Sequence, residues 1–421
     1  VIRVVLADDS PSVRAVLRRL FARTADFRVV AEASDGAAAV QAVLDHQPQV
    51  VVMDLLMPVM DGYGAIERIM AWRPTPIVVL SSRANRNQMQ TAFEAIRRGA
   101  IEVLPKPEDT GSWEVLAASL PAAVRVAADA RPRAISRPAA GLSGAGPPRG
   151  AGAPGGSAPA ARGGGRSAAG AAAVPLPARP ARRSPPVPPP GPDAGAGKGA
   201  EAMPSGPPVP RRAAARAGTA ARAPAEDGGA LRWVVVGAST GGPAAIRELL
   251  EELPAAPPVS VLIVQHIAAG FEAAFAEWLN KELPLDVRLA RDGERPAPGA
   301  VRLAPAGAHL LLEAGGVLHL DTTTPARRGH LPSVDELFLS CARCCPAAAA
   351  GVLLTGMGSD GVEGLAALHQ AGALTLVQDE ATSVVFGMPR VALERGVARL
   401  AQPPRELAHT LARRWQRCGE P

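Results

Sequence analysis

Apolar residues along this chain fall into two alternating patterns: short dense runs of strand length, and longer one-sided repeats of helical period. In the first 125 residues the runs are Ile2–Ala7, Phe27–Ala31, Val50–Met53, Ile77–Leu80 and Glu102–Leu104. Ser10-Pro11 is an N-cap and first-turn pair, and Val13, Val16, Leu17, Leu20 and Phe21 after it share one helical face. Five such strand-helix units predict a parallel sheet with helices on both faces.

The pattern stops near residue 126. From 126 to 229 the chain is Ala, Pro, Gly and Arg with almost no large apolar side chain. Such a segment cannot bury enough surface to offset its ordering entropy, and a disordered linker is expected. Alternation resumes from 230 and runs to 421. Strands are predicted at Trp233–Val236, Val259–Val264, Val301–Ala304, Leu310–Leu312, Val317–Leu320, Gly351–Leu354 and Leu374–Val377. The expected architecture is two doubly wound α/β domains joined by a long linker. The second domain should mix some antiparallel strands into its sheet.

Charge refines this division. The formal net charge is +6. The stretch from Arg131 to Ala230 carries 14 Lys and Arg against 4 Asp and Glu, so the remainder is slightly acidic. The basicity belongs to the low-complexity segment. No aromatics interleave with its arginines, and no basic recognition helix follows it, which disfavours nucleic acid as a partner. Cys341, Cys344 and Cys345 form a Cys-x-x-Cys-Cys cluster with no second pair, so thiols on a helix are expected rather than zinc ligands. No run reaches the roughly 18 apolar residues of a membrane span, and no signal-peptide pattern is read. A cytoplasmic monomer is expected.

Two sets of residues carry candidate chemistry. Asp8 and Asp9 end the first strand, Asp54 the third, Ser81 the fourth and Lys106 the fifth. Strand ends of a parallel sheet converge on one edge, where such folds bind ligands. Three carboxylates there call for a hard cation, and Mg²⁺ fits because it accepts carboxylates, waters and a phosphate oxygen. A lysine and a hydroxyl nearby suit the oxygens of a transferred phosphoryl group. In the second domain, Ser239 sits in Gly-Ala-Ser-Thr-Gly-Gly at the end of a Val-rich strand. His266 follows Val-Leu-Ile-Val-Gln, and Asp360 lies in Thr-Gly-Met-Gly-Ser-Asp-Gly just past another strand. Nucleophile, base and orienting acid are thereby all expected at strand ends. His309, His319, His330, His369 and His409 lie in loops, helices or mid-strand, and structural roles are expected for them. Gly-x-Ser-x-Gly also occurs in α/β-hydrolases, but their order is Ser, acid, His, whereas here it is Ser239, His266, Asp360.

The first domain resembles the receiver domain of two-component response regulators, including Met57-Pro58 and Asp61-Gly62 after Asp54. The resemblance implies a flavodoxin-like fold and phosphorylation of Asp54. It implies Mg²⁺ held by Asp9, Asp54 and the Leu56 carbonyl with help from Asp8, switch residues Ser81 and Lys106, and a cis Lys106–Pro107 peptide. Pro105, before the lysine, and Leu56, where a polar residue is common, depart from the pattern. The second domain resembles the chemotaxis protein-glutamate methylesterase (CheB) family over about residues 232–400. The matching motifs include Val-Gln-His, Leu-Ala-Pro-Ala-Gly-Ala-His, His330–Phe338 and Gln378–Pro389. This implies a Rossmann-like serine esterase with the triad Ser239, His266 and Asp360. Thr240 and Met357 become active-site neighbours, the Met357 amide an oxyanion donor. The implied substrates are methylated chemoreceptors, with receptor glutamines possible targets for deamidation. A CheA-type histidine kinase is the implied phosphodonor, and the unphosphorylated receiver covers the active site. No metal is expected at the serine. The linker is much longer than in typical members.

Overall fold

The structure is a computed structural model that describes residues 1–81, 86–107, 110–130 and 231–416. The expected linker lies outside the described residues beyond Ala130.

The N-terminal part alternates strictly: β1 (Ile2–Ala7), α1 (Pro11–Ala22), β2 (Phe27–Ala33), α2 (Gly36–His46), β3 (Val50–Asp54), α3 (Gly62–Trp72), β4 (Ile77–Ser81), α4 (Arg86–Arg97), β5 (Glu102–Pro105) and α5 (Thr110–Ala128). The strands form one sheet in the order β2-β1-β3-β4-β5, with every pair parallel. Val4–Leu6, Val50–Met53 and Ile77–Leu80 are fully buried, as expected of central strands covered on both faces. Side chains set the helix starts. Ser10 Oγ accepts from the Val13 N–H, Asp35 from Ala38 and Asp61 from Gly64. Strand order reverses between β1 and β3, which places a crevice at their carboxyl ends.

The C-terminal part comprises β6 (Trp233–Ala238), α6 (Gly242–Glu251), β7 (Ser260–Gln265), α7 (Glu272–Glu282), β8 (Asp286–Leu289), β9 (Ala300–Leu303), β10 (His309–Glu313), β11 (Val317–Asp321), α8 (Val334–Cys344), β12 (Ala349–Leu353), α9 (Val362–Gln370), β13 (Leu374–Gln378), α10 (Met388–Glu394), β14 (Leu400–Gln402) and α11 (Pro404–Gln416). Seven strands make a wholly parallel sheet, β14-β13-β12-β6-β7-β9-β8. The antiparallel pairing anticipated from the sequence is confined to the separate hairpin β10-β11. Edge strands β8 and β14 are absent from the sequence reading. Each is four residues or fewer, and Leu400 is half exposed, so neither makes a solid apolar run.

Two glycines decide how closely the serine-bearing turn can pack. A Cβ on Gly237 would lie 2.1 Å from Cγ1 of Val334, so a larger residue there would push α8 off β6. Gly241 has φ +76° and opens α6 from a left-handed conformation that side chains resist.

The two α/β parts touch through α4, which packs on α7 and α6. Phe93 on α4 is fully buried against Phe271, Phe275 and Trp278, with ring centroids 6.3, 5.2 and 5.7 Å away. The Trp278 indole N–H donates to Glu94 at 3.3 Å. Aromatic contact of this kind adds about 0.5–1.5 kcal/mol per pair beyond the buried area.

Candidate active site

Ser239 stands one residue past β6 and His266 one residue past β7, on neighbouring strands that pair Ala238 with Gln265. The His266 N–H donates to the Ala238 carbonyl, and the Ser239 N–H donates to Thr355 just beyond β12, each at 3.0 Å. Gln265 pins the turn by donating to the carbonyls of Ser239 and His266 at 2.9 and 2.8 Å. Three adjacent strand ends therefore hold the serine turn, the histidine and the loop that carries Asp360.

Asp360 is 2% exposed and accepts five hydrogen bonds. Oδ1 takes the Ser333 hydroxyl at 2.7 Å, the Gly361 N–H at 3.0 Å and the Asp335 N–H at 3.1 Å. Oδ2 takes the Val334 N–H and His266 Nε2, both at 2.8 Å. Val334 and Asp335 open α8, so the carboxylate sits on free amides at the positive end of a helix. Burial alone would raise the Asp360 pKa. The bond and charge of His266, with Ser333 and Val334, outweigh it and hold the group well below the usual carboxylate range. An ionised carboxylate only accepts, so Nε2 of His266 carries the proton. The other ring nitrogen, Nδ1, is buried and has no hydrogen-bond partner among the described residues. His330 stacks flat on the His266 ring, centroids 3.8 Å apart and planes 1° from parallel. Burial, then the charge of His266, lowers the His330 pKa and favours its neutral form. Asp335, buried beside Asp360, is pushed up to about 6, chiefly by burial.

The Ser239 hydroxyl makes no hydrogen bond among the described residues, so its link to His266 is not closed in this state; such contacts often tighten only with substrate. Thr240 follows it in the turn. Met357 is 60% exposed in the loop after β12. Neither the Thr240 nor the Met357 amide has a hydrogen-bond acceptor among the described residues. Met357, Ser359, Phe386 and Arg390 line a cavity of about 780 Å³ together with Arg125 and Val126 of α5 and Asp129 just after it.

In the N-terminal part, Asp8, Asp9 and Asp54 offer carboxylate oxygens all within 4.8 Å of one another, the only such metal-ligand grouping among the described residues. Lys106 Nζ bridges Asp8 at 2.8 Å and Asp54 at 2.6 Å. One ammonium against three carboxylates leaves a deficit that a divalent cation would fill, so the donor set fits Mg²⁺. Burial opposes charge on Lys106, but its bonds to Asp54 and Asp8 outweigh that and raise its pKa. Burial raises the Asp8 pKa, with Lys106 opposing. Ser81 is buried at the end of β4, its carbonyl accepting from the Lys106 N–H at 2.7 Å. Leu56 is exposed beyond β3. The Lys106–Pro107 peptide is trans, contrary to the sequence expectation; the cis peptide among the described residues is Leu331–Pro332.

Sequence reading did not single out Ser333, which buttresses Asp360, and expected only a structural role for His330, which stacks on His266. Both stand in the run His330–Phe338, a motif already visible by its Ser-Val-Asp helix start. Only the fold brings that start to Asp360.

Asp360→Asn tests the electrostatics. The amide would set an N–H₂ against the Val334 N–H or the Ser333, Asp335 and Gly361 donors, so the variant should lose about 3 kcal/mol of stability at pH 7. Because the folded-state pKa is depressed, the carboxylate's contribution is complete above about pH 4 and fades as pH falls through the folded value. Urea unfolding of both proteins should show the gap shrinking below about pH 4; a gap that stays constant or widens would contradict the assignment.

The sequence model of the CheB methylesterase family matches residues 234–411, and that of the response regulator receiver domain matches residues 4–115. A protein-glutamate methylesterase/protein-glutamine glutaminase of Geobacter metallireducens is 34% identical over 412 residues, covering 97% of this chain and 98% of its own. One from Rhodopseudomonas palustris is 36% identical over 416 residues, covering 96% and 95%. The crystal structure of the Thermotoga maritima CheB methylesterase catalytic domain is 34% identical, covers 44% of this chain and 98% of its own, and superposes with a TM-score of 0.42. With a receiver of β2-β1-β3-β4-β5 order ahead of this serine-bearing sheet, and relatives aligned along nearly its whole length, the chain belongs to the CheB methylesterase family, in the form that carries a response regulator receiver domain.

Proposed function

We propose that this protein hydrolyses the γ-methyl esters of glutamates on methylated chemoreceptors, and deamidates receptor glutamines at the same site, under control of receiver phosphorylation. The observation that carries this reading is the imidazole of His266, anchored by Nε2 to Asp360 with Nδ1 bare, on the strand end next to Ser239. In this reaction Ser239 Oγ attacks the ester carbonyl while His266 Nδ1 takes its proton. His266 returns the proton to the leaving methoxide, which departs as methanol. Water, activated by the same nitrogen, then releases the glutamate. The Met357 amide, with that of Thr240 beside it, supplies oxyanion donors. For a glutamine the leaving group is ammonia. The protein acts as a monomer on the cytoplasmic helices of the receptors, and the reaction provides adaptation in a chemotaxis-type pathway.

Asp54 is the phosphoacceptor and a CheA-type histidine kinase the donor. Asp8, Asp9, Asp54 and the Leu56 carbonyl are the residues that would hold Mg²⁺. When bound, it neutralises the carboxylates and supplies a coordination site for a phosphoryl oxygen. Lys106 and Ser81 meet the phosphoryl group. Lys106 now bridges Asp54 and Asp8, so a phosphoryl on Asp54 redirects it and disturbs the ends of β4 and β5, between which α4 is strung. Phe93 on α4 is an apolar tie to the catalytic part, and α5 borders the cavity at Met357. Loosening α4 would thus open the path of a receptor helix to Ser239.

Two outcomes follow. Ser239→Ala should abolish methanol release from methylated receptor membranes while the fold persists. Retention of more than about a tenth of wild-type activity, roughly 1.4 kcal/mol in barrier, would remove the serine from this role. Asp54→Asn should take no label from a small phosphodonor with Mg²⁺ and stay at basal activity. Adding Phe93→Ala to that background should raise basal activity by about tenfold for each 1.4 kcal/mol of docking energy removed. Labelling at Asp8 or Asp9, or unchanged basal activity in a folded double variant, would contradict the gate.

A further inference from the structure

Outside both sites, the C-terminal end of α8 gathers three thiols. Cys341 is fully buried, whereas Cys344 and the adjacent Cys345 are partly exposed. The Sγ atoms of Cys344 and Cys345 lie 3.0 Å apart, about 1 Å beyond the length of a disulfide bond. Cys344 is the last residue of α8. Cys345 leaves the helix with φ −156° and ψ 50°, its N–H donating to the Cys341 carbonyl at 3.0 Å. This break turns the Cys345 side chain back onto its neighbour. No three-thiol metal site competes for them, because the described residues place no third ligand close enough to the pair.

We propose that Cys344 and Cys345 form a reversible dithiol–disulfide site, closed by a two-electron oxidant of the peroxide class. The contact between the two sulfurs lowers the Cys344 pKa and raises that of Cys345, which favours Cys344 as the sulfur that ionises. Its thiolate attacks a peroxide oxygen, the O–O bond breaks, and Cys344 becomes a sulfenic acid with release of one water. The Cys345 sulfur then displaces hydroxide from that sulfur, and its thiol proton leaves with the hydroxide as a second water. Overall two thiols and one hydrogen peroxide give one disulfide and two waters. Adjacent residues joined by a trans peptide have Cα atoms about 3.8 Å apart, below the usual disulfide range of about 4.4–6.8 Å. A ring closed here is therefore strained and readily reduced, which is the behaviour of a labile rather than a structural bridge.

The test uses the full chain, treated with a slight excess of hydrogen peroxide, alkylated and digested with trypsin. Cleavage after Arg343 separates Cys341 from the pair. The peptide that begins at Cys344 should lose two hydrogens, resist alkylation, and recover both thiols with dithiothreitol. Closure should be at least about tenfold faster in the folded chain than in denaturant, since the fold holds the sulfurs together. Cys345→Ser should abolish the mass loss and leave a Cys344 sulfenic acid that dimedone traps. Alkylation of both thiols at the unoxidised rate, separate oxidation of each sulfur, a bridge to another cysteine, or equal closure rates with and without denaturant would overturn the proposal.

Discussion

Asp360 is a buried anion fixed by the start of a helix. Taken alone, a carboxylate 2% exposed is an expensive group to bury. It is tolerated because α8 begins against it, delivering the Val334 and Asp335 amides and the Ser333 hydroxyl, while Gly361 and His266 complete the shell. This one interaction fixes several other features. Helix α8 can reach the carboxylate only because Gly237 gives Val334 room beside β6. With Nε2 of His266 facing an ionised partner, the ring carries a proton on Nε2. Its opposite nitrogen is then bare, the form a proton-accepting base requires.

Both parts of the chain exploit the same property of parallel sheets. Side chains that leave the carboxyl ends of neighbouring strands converge without further design. In the receiver this gathers three carboxylates and a lysine; in the second sheet it gathers a hydroxyl turn, an imidazole and an acid loop. The difference lies in charge balance. The receiver cluster keeps a surplus of negative charge that suits a cation and a phosphoryl group. The candidate active site instead pairs its buried carboxylate with neutral donors and a histidine. Between them Phe93 and its aromatic neighbours form a direct physical link, as a phosphorylation-controlled esterase would need.

The central strands were legible in the sequence because they are covered on both faces and read as unbroken Val, Ile and Leu runs, as in β1, β3, β6 and β7. Strands β8 and β14 were not, because short edge strands carry no such run. Ser239, His266, Asp360 and the receiver acids could be picked out because each ends a recognisable strand or stands just past one. Ser333 and His330 could not, since their neighbours are supplied by long-range packing rather than local pattern. The trans Lys106–Pro107 peptide shows the limit of carrying a local feature over by resemblance.

The central claim is that Asp360 holds His266 with Nε2 protonated and Nδ1 free. Nitrogen NMR of the full chain with ¹⁵N-labelled imidazoles, the His266 signals assigned by loss in His266→Gln, tests it directly. When the ring is neutral, its Nε2 should show the shift of a protonated pyrrole-type nitrogen and Nδ1 that of a bare pyridine-type nitrogen. The reverse tautomer, or fast averaging of the two shifts as in a free imidazole, would contradict the account.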